Sequence, residues 1–148
     1  MIAPTAFRNA RILIVDDEIN NVDMLRRVLE REGFLRIEST TDPREAASLY
    51  VQHRPDLILL DLHMPGMDGY RLAENILARE QFRNIPIVAF SCYDLTRFKQ
   101  RAMRSGMADF IPKPVDRTRV LATVRDQLSL RQRLTKLSAV ENGLAETA

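Results

Sequence analysis

The chain has 148 residues, 45% hydrophobic and 28% charged, which are the proportions of one ordinary globular domain built on one core. Its 22 basic and 20 acidic residues leave a formal charge of +2 with no dense basic block, which argues against a nucleic-acid partner. A single cysteine and two histidines exclude a disulfide framework and a closed Cys/His zinc site, so any metal chemistry must use oxygen ligands. No apolar run suits a membrane span or a signal peptide, so the expected location is cytoplasmic, with no membrane partner.

Residues 11–15 read as a buried strand, and 21–32 as a helix with Val22, Leu25, Val28 and Leu29 on one face before Gly33 stops it. A second strand is expected at 35–39. The helix that follows, to about residue 54, is expected to open with Asp42 as cap, Pro43 in the first helical position and Glu45 reaching back. Further strands fall at 56–60, 86–91 and 109–111, and further helices at 70–79, at 95–105 closed by Gly106, and at 116–140. The last ten residues, AVENGLAETA, are small and polar enough to fray.

Five strand and helix pairs in strict alternation predict an α/β fold, a doubly wound parallel sheet with five helices on its two faces. Such sheets bind ligands beyond the carboxyl ends of their strands, at the switch in strand order. The third strand drives an apolar run straight into Asp61 and then turns through Met64, Pro65 and Gly66, which makes sense only if something binds there. The first strand ends in Asp16 and Asp17, the fourth in Ser91 and Cys92, and the fifth in Lys113 and Pro114. In the flavodoxin-like strand order 2-1-3-4-5 the first and third strands are neighbours, so three carboxylates converge. That cluster repels itself unless a carboxyl group stays protonated or a cation such as Mg²⁺ neutralises it. Carboxylate, ammonium, hydroxyl and cation together suit a phosphoryl group, with a carboxylate nucleophile forming an aspartyl phosphate.

The pattern IVDDE at 14–18, LLDLHMPGMDG at 59–69, Ser91 and FIPKP at 110–114 closely resembles the receiver domain of two-component response regulators. The resemblance covers roughly residues 10–130. It implies that Asp61 takes a phosphoryl group from a phosphohistidine on a sensor histidine kinase or phosphotransfer protein. It also implies Mg²⁺ on Asp17, Asp61 and the backbone carbonyl of His63, with Asp16 acting chiefly through water. Ser91 and Lys113 would hold phosphate oxygens, Ser91 and Phe110 would form the switch, and the Lys113-Pro114 peptide would be cis. Self-phosphorylation and autodephosphorylation are the only reactions expected, so the chain is not read as an enzyme. His63 and Phe110 depart from the commoner residues at their positions, and Cys92 replaces a small residue.

Each assignment has a plainer competitor. Phe110 can be core packing, Ser91 a helix cap, His63 an exposed loop residue, and Cys92 a packing residue. A phosphohydrolase of the haloacid dehalogenase type also forms an aspartyl phosphate, but it carries a second Asp where this chain has His63. A degenerate receiver that only binds is the other alternative. The expected division is a receiver at 1–130 and a helical extension or linker stub at 131–148. In that extension Leu130, Leu134, Leu137 and Leu144 stand at heptad-compatible steps, broken by Glu141. It is expected either to lead into an output domain of a longer regulator, or to mediate a homodimer or docking. The wording DLILLDLHMPGMDGY and KPVDRTRVLATVRDQLSLRQRL looks most like receivers joined to HD-GYP cyclic-di-GMP phosphodiesterases.

Overall fold

A computed structural model of the chain describes residues 7–79, 85–91 and 96–147, with side chains throughout except at 135, 136 and 138–147. The strands are β1 (Arg11–Val15), β2 (Arg36–Thr40), β3 (Leu57–Asp61), β4 (His63–Met64), β5 (Met67–Asp68), β6 (Ile87–Ser91) and β7 (Asp109–Pro112). The helices are α1 (Ile19–Arg31), α2 (Ala46–His53), α3 (Gly69–Leu77), α4 (Thr96–Arg104) and α5 (Arg117–Thr147). Five parallel strands form the main sheet in the order β2-β1-β3-β6-β7, which is the expected order once the small β4-β5 hairpin is set aside. No helix among the described residues is long and apolar enough to cross a membrane.

The strands are apolar on both faces because both faces are covered. Ile12, Ile14, Leu57, Leu59, Val88, Phe90 and Ile111 pack with Val22, Leu25 and Leu29 of α1 and Val120, Val124 and Leu128 of α5. Leu13, Val15, Ile58, Leu60, Ile87, Ala89 and Phe110 pack on the other side, with residues of α2, α3 and α4. The period of two along each strand thus divides its side chains between two cores. At the two sheet edges, Arg26 of α1 donates to the Ile37 carbonyl (2.9 Å) and Arg119 of α5 to the Phe110 carbonyl (3.0 Å). Pro112 lies on the edge strand β7, where its missing N–H costs no ladder bond.

Several local expectations change. The second helix opens with a 3₁₀ turn, Pro43–Glu45, capped by Asp42, which accepts from the Arg44 N–H (3.0 Å). The Glu45 carboxylate does not close a capping box: it accepts from the Thr40 hydroxyl (2.9 Å), and the Asp42 N–H donates to that same hydroxyl oxygen (3.0 Å). Thr40, at the end of an edge strand, offers a nearer partner than the Asp42 backbone. Helix α2 then ends with Arg54 in the left-handed region (φ 52°). Helix α5 runs to Thr147, past residue 140 and through the stretch expected to fray, where alanine, leucine and glutamate favour helix. Residue 95, expected to begin the fourth helix, and Cys92 lie outside the described residues.

Candidate functional site at the carboxyl edge

Parallel pairing puts the strand ends side by side: Val15 stands opposite Leu60, Asp61 opposite Phe90, and Ser91 opposite Pro112. Residues that follow β1 and end β3 are therefore forced together, although the chain between them is long. Carboxylate oxygens of Asp16, Asp17 and Asp61 lie within 4.8 Å of one another. Asp16 and Asp61 are buried, at 2% and 4% exposure, and Asp17 is half-buried.

Lys113 brings the opposing charge. Its Nζ is 3.2 Å from Asp16 Oδ2 and 3.5 Å from Asp61 Oδ2. The Lys113 N–H donates to the Ser91 carbonyl (2.8 Å), which fixes its backbone beside the end of β6. The Lys113-Pro114 peptide is cis, as expected. Asp16 is held from behind, because its Oδ1 accepts from the Glu18 N–H (2.9 Å). Asp61 Oδ1 accepts from the His63 N–H (3.2 Å). Ser91 is fully buried at the end of β6.

Burial pushes the Asp61 carboxyl up from 3.8 to about 6; Lys113 pulls the other way, the Asp16 charge adds to the rise, the His63 N–H opposes it, and a hydrogen bond with Asp17 adds to it. Three carboxylates face one ammonium, so ionising all of them leaves negative charge in a poorly hydrated place. A hard divalent cation relieves that cost, and the available donors are all oxygens, the set that Mg²⁺ selects. Asp16, Asp17 and Asp61 fit such an ion.

His63 is not an exposed loop residue. It sits in β4, half-buried, and its ring meets Phe98 of α4 edge-on at 5.4 Å. Burial first, and then the positive charge of Lys113, lowers its pKa. Phe110 is 2% exposed and lies in the core on the α2, α3 and α4 side. Two neighbours of the site, Gly69 and Arg101, had not been singled out from the sequence. Gly69 packs so closely that an added Cβ would lie 2.7 Å from Leu62 Cα and 3.0 Å from the Asp61 carbonyl oxygen. The only hint was a glycine directly after a capping Asp68, in a position where glycine is a poor helix former. Arg101 of α4 reaches Asp68 (3.3 Å) and lies 4.0 Å over the Tyr70 ring, a contact with no signal in the sequence.

The response regulator receiver domain model matches residues 12–125. The chain belongs to this family. It is 35% identical over 117 residues to the response regulator PleD of Caulobacter vibrioides, covering 79% of this chain and 26% of that protein. It is 36% identical over 122 residues to the cyclic di-GMP phosphodiesterase response regulator RpfG of Xanthomonas campestris, covering 82% of this chain and 32% of that protein. The match thus spans about a quarter to a third of the length of these two relatives. Among solved structures, the Vibrio cholerae chemotaxis protein CheY4 is similar with a TM-score of 0.75 at 27% identity, covering 80% of this chain and 98% of that one. Brucella abortus NtrX with ADP gives 0.82 at 28% identity, covering 89% and 30%. The receiver therefore has the five-stranded, five-helix fold expected of it.

Proposed function

We propose that this receiver is a phosphoacceptor switch, with Asp61 as the acceptor and a phosphohistidine on a sensor histidine kinase or phosphotransfer protein as donor. The observation that carries this is the Lys113 ammonium set between the buried carboxylates of Asp16 and Asp61 at the end of β3. An Asp61 oxygen attacks phosphorus while the P–N bond of the donor breaks, and the bond pair leaves with the imidazole nitrogen. Lys113 meets the charge on the phosphoryl oxygens, and the Ser91 hydroxyl is within the same edge to donate to one of them. Asp16, Asp17, Asp61 and the His63 carbonyl would hold Mg²⁺, which when bound neutralises the acidic cluster and the incoming phosphate.

Phosphorylation replaces the single carboxylate charge of Asp61 with a phosphoryl group carrying about −1.5 to −2, whose oxygens draw on Lys113 and Ser91. Ser91, buried at the end of β6, and Phe110, buried in β7, form the switch that answers this charge. The face of α4, β7 and α5 then changes its affinity for partners by a shift of population. No substrate other than the phosphoryl group is turned over, in the cytoplasm where donor kinases keep their phosphohistidines. Residues 1–130 form the receiver and 131–148 a helical extension. The similarity to a cyclic di-GMP phosphodiesterase response regulator supports an HD-GYP-like output, fused or separate.

The test is intact mass after incubation with acetyl phosphate and Mg²⁺, beside Asp61→Asn and an EDTA control. One phosphoryl adduct, present only with Asp61 and Mg²⁺, is expected. An adduct on the Asp61→Asn chain would move the acceptor elsewhere. No adduct in any arm would make this a receiver that signals by binding alone.

A further inference from the structure

Helix α4 is held to the sheet by little apolar surface. Only Ala102 of its nine residues is buried, against four buried residues in α1 and five in α3, and Phe98 is half-buried on the same side. Two of its side chains close on one short element instead. Phe98 meets the His63 ring edge-on at 5.4 Å, and Arg101 donates to Asp68 Oδ2 (3.3 Å) with its guanidinium 4.0 Å over the Tyr70 ring. Phe98 and Arg101 are three residues apart and so share a face of the helix. His63 and Asp68 are themselves cross-strand partners in the β4-β5 hairpin, so the two contacts grip both strands of that hairpin at one level. The hairpin follows directly on the acceptor. The His63 N–H donates to Asp61 Oδ1 (3.2 Å), and Asp68 caps α3 by accepting from the Tyr70 N–H (3.0 Å). Gly69 brings that second foot hard against Leu62, with no side chain between them.

We propose that Phe98 and Arg101 are positioning residues for Asp61: by clamping the hairpin they keep the His63 N–H on Asp61 Oδ1. With Oδ1 held there, Oδ2 is left facing the Lys113 ammonium at 3.5 Å. Coupling between sites is reciprocal, so a phosphoryl group that disturbs the bond between His63 and Asp61 also loosens the hairpin against α4. This route from acceptor to helix contains neither Ser91 nor Phe110. Its contacts are individually weak, an aromatic edge, a cation over a ring and an ion pair between half-exposed side chains, which suits a clamp that has to release. The effect on labelling rests on the reading of Asp61 as phosphoacceptor; the restraint on the hairpin belongs to the unmodified chain.

Two readouts on the whole chain test it. Amide hydrogen exchange at His63, measured without a phosphoryl donor, needs no assumption about the acceptor. The rate of Asp61 labelling by acetyl phosphate with Mg²⁺ reads the positioning. Phe98→Ala combined with Arg101→Gln should speed the exchange and slow the labelling, each by about 3- to 10-fold. Unchanged exchange of the β1 amides checks that the fold is kept. Phe98→Tyr combined with Arg101→Lys, which keeps a ring and a cation in place, should recover most of both. Ser105→Ala is the control, because it removes the contact of the Ser105 hydroxyl with Glu74 of α3 (3.3 Å) and touches no hairpin residue. It should move neither readout. Unchanged His63 exchange in the Phe98 and Arg101 variant overturns the clamp, and so does an equal effect from Ser105→Ala, which would trace the change to a loosened α4 in general. Faster exchange with normal labelling overturns the positioning of Asp61. An unsubstituted chain that takes no label at all counts against the phosphoacceptor reading, and His63 exchange still decides the clamp.

Discussion

Lys113 Nζ stands 3.5 Å from Asp61 Oδ2 and nearer still, at 3.2 Å, to Asp16 Oδ2, so one ammonium serves both buried carboxylates before any phosphate arrives. Lys113→Ala should therefore slow labelling of Asp61 by acetyl phosphate by about 10² to 10³, the usual cost of removing one preorganised charge stabiliser. Lys113→Arg should restore little, because a planar guanidinium cannot occupy the point between the two carboxylates. Single-turnover rates by intact mass check both. A Lys113→Ala chain that labels at the normal rate would remove the lysine from the chemistry.

The acidic cluster makes the metal-free fold pH-dependent. The folded Asp61 carboxyl titrates near 6 instead of 3.8, so between those values the folded chain binds more protons than the unfolded one, and stability falls as pH rises. Below about 3.8 both forms are protonated and the effect vanishes. Above about 6 the cost is complete: about 1.4 kcal/mol per pH unit sets a ceiling of ~3 kcal/mol, which solvent screening lowers to about 1 to 2 kcal/mol. Asp61→Asn should stabilise the metal-free protein by that amount at pH 7.5 and by nothing near pH 3.5. Urea denaturation with EDTA at the two values measures it, and equal gains at both would refute the electrostatic origin.

Mg²⁺ should reverse that cost. At free Mg²⁺ 100-fold above its dissociation constant the gain is about 2.7 kcal/mol, a rise in Tm on the order of 10 °C for a domain of this size. Asp17 is only half-buried, so Asp17→Asn should keep the fold while abolishing most of the shift. A thermal scan with MgCl₂ against EDTA tests this, and an undiminished shift in the variant would place the ion elsewhere.

Two glycines separate strain from crowding. A Cβ on Gly69 would overlap Leu62 Cα and crowd the Leu62 and Asp61 carbonyl oxygens, all of them backbone atoms that cannot swing aside. Gly69→Ala should cost about 1 to 3 kcal/mol and slow Asp61 labelling, because the strand end that carries Asp61 must shift. Gly66 has φ +73° with nothing within 4 Å of an added Cβ. Gly66→Ala should cost about 1 kcal/mol through its backbone alone and leave labelling intact. Equal labelling rates for the two variants would show that Gly69 does not position Asp61.

The main sheet and the composition of its carboxyl edge were legible because parallel strands buried on both faces must be short apolar runs, and a run that ends in Asp16, Asp61, Ser91 or Lys113 announces the edge. Strand ends were placed within a residue or so by the same contrast. The β4-β5 hairpin was not legible, since two-residue strands have no measurable period, and the partners of His63 and Asp68 lie on α4, far along the chain.

Residue order alone set the alternation of the five main-sheet strands with the five helices, the acidic, hydroxyl and lysine residues delivered to one edge, and the leucine spacing of the last helix. These follow from local periodicity and from the chirality of parallel crossovers, which leave few ways to wind the chain. Only the tertiary structure decided how far Asp61 is buried and which charges bear on it, why Gly69 admits no side chain, and which side chains of α4 meet the β4-β5 hairpin. Those are sums over atoms that the chain brings together from distant positions, and no window along the sequence contains them.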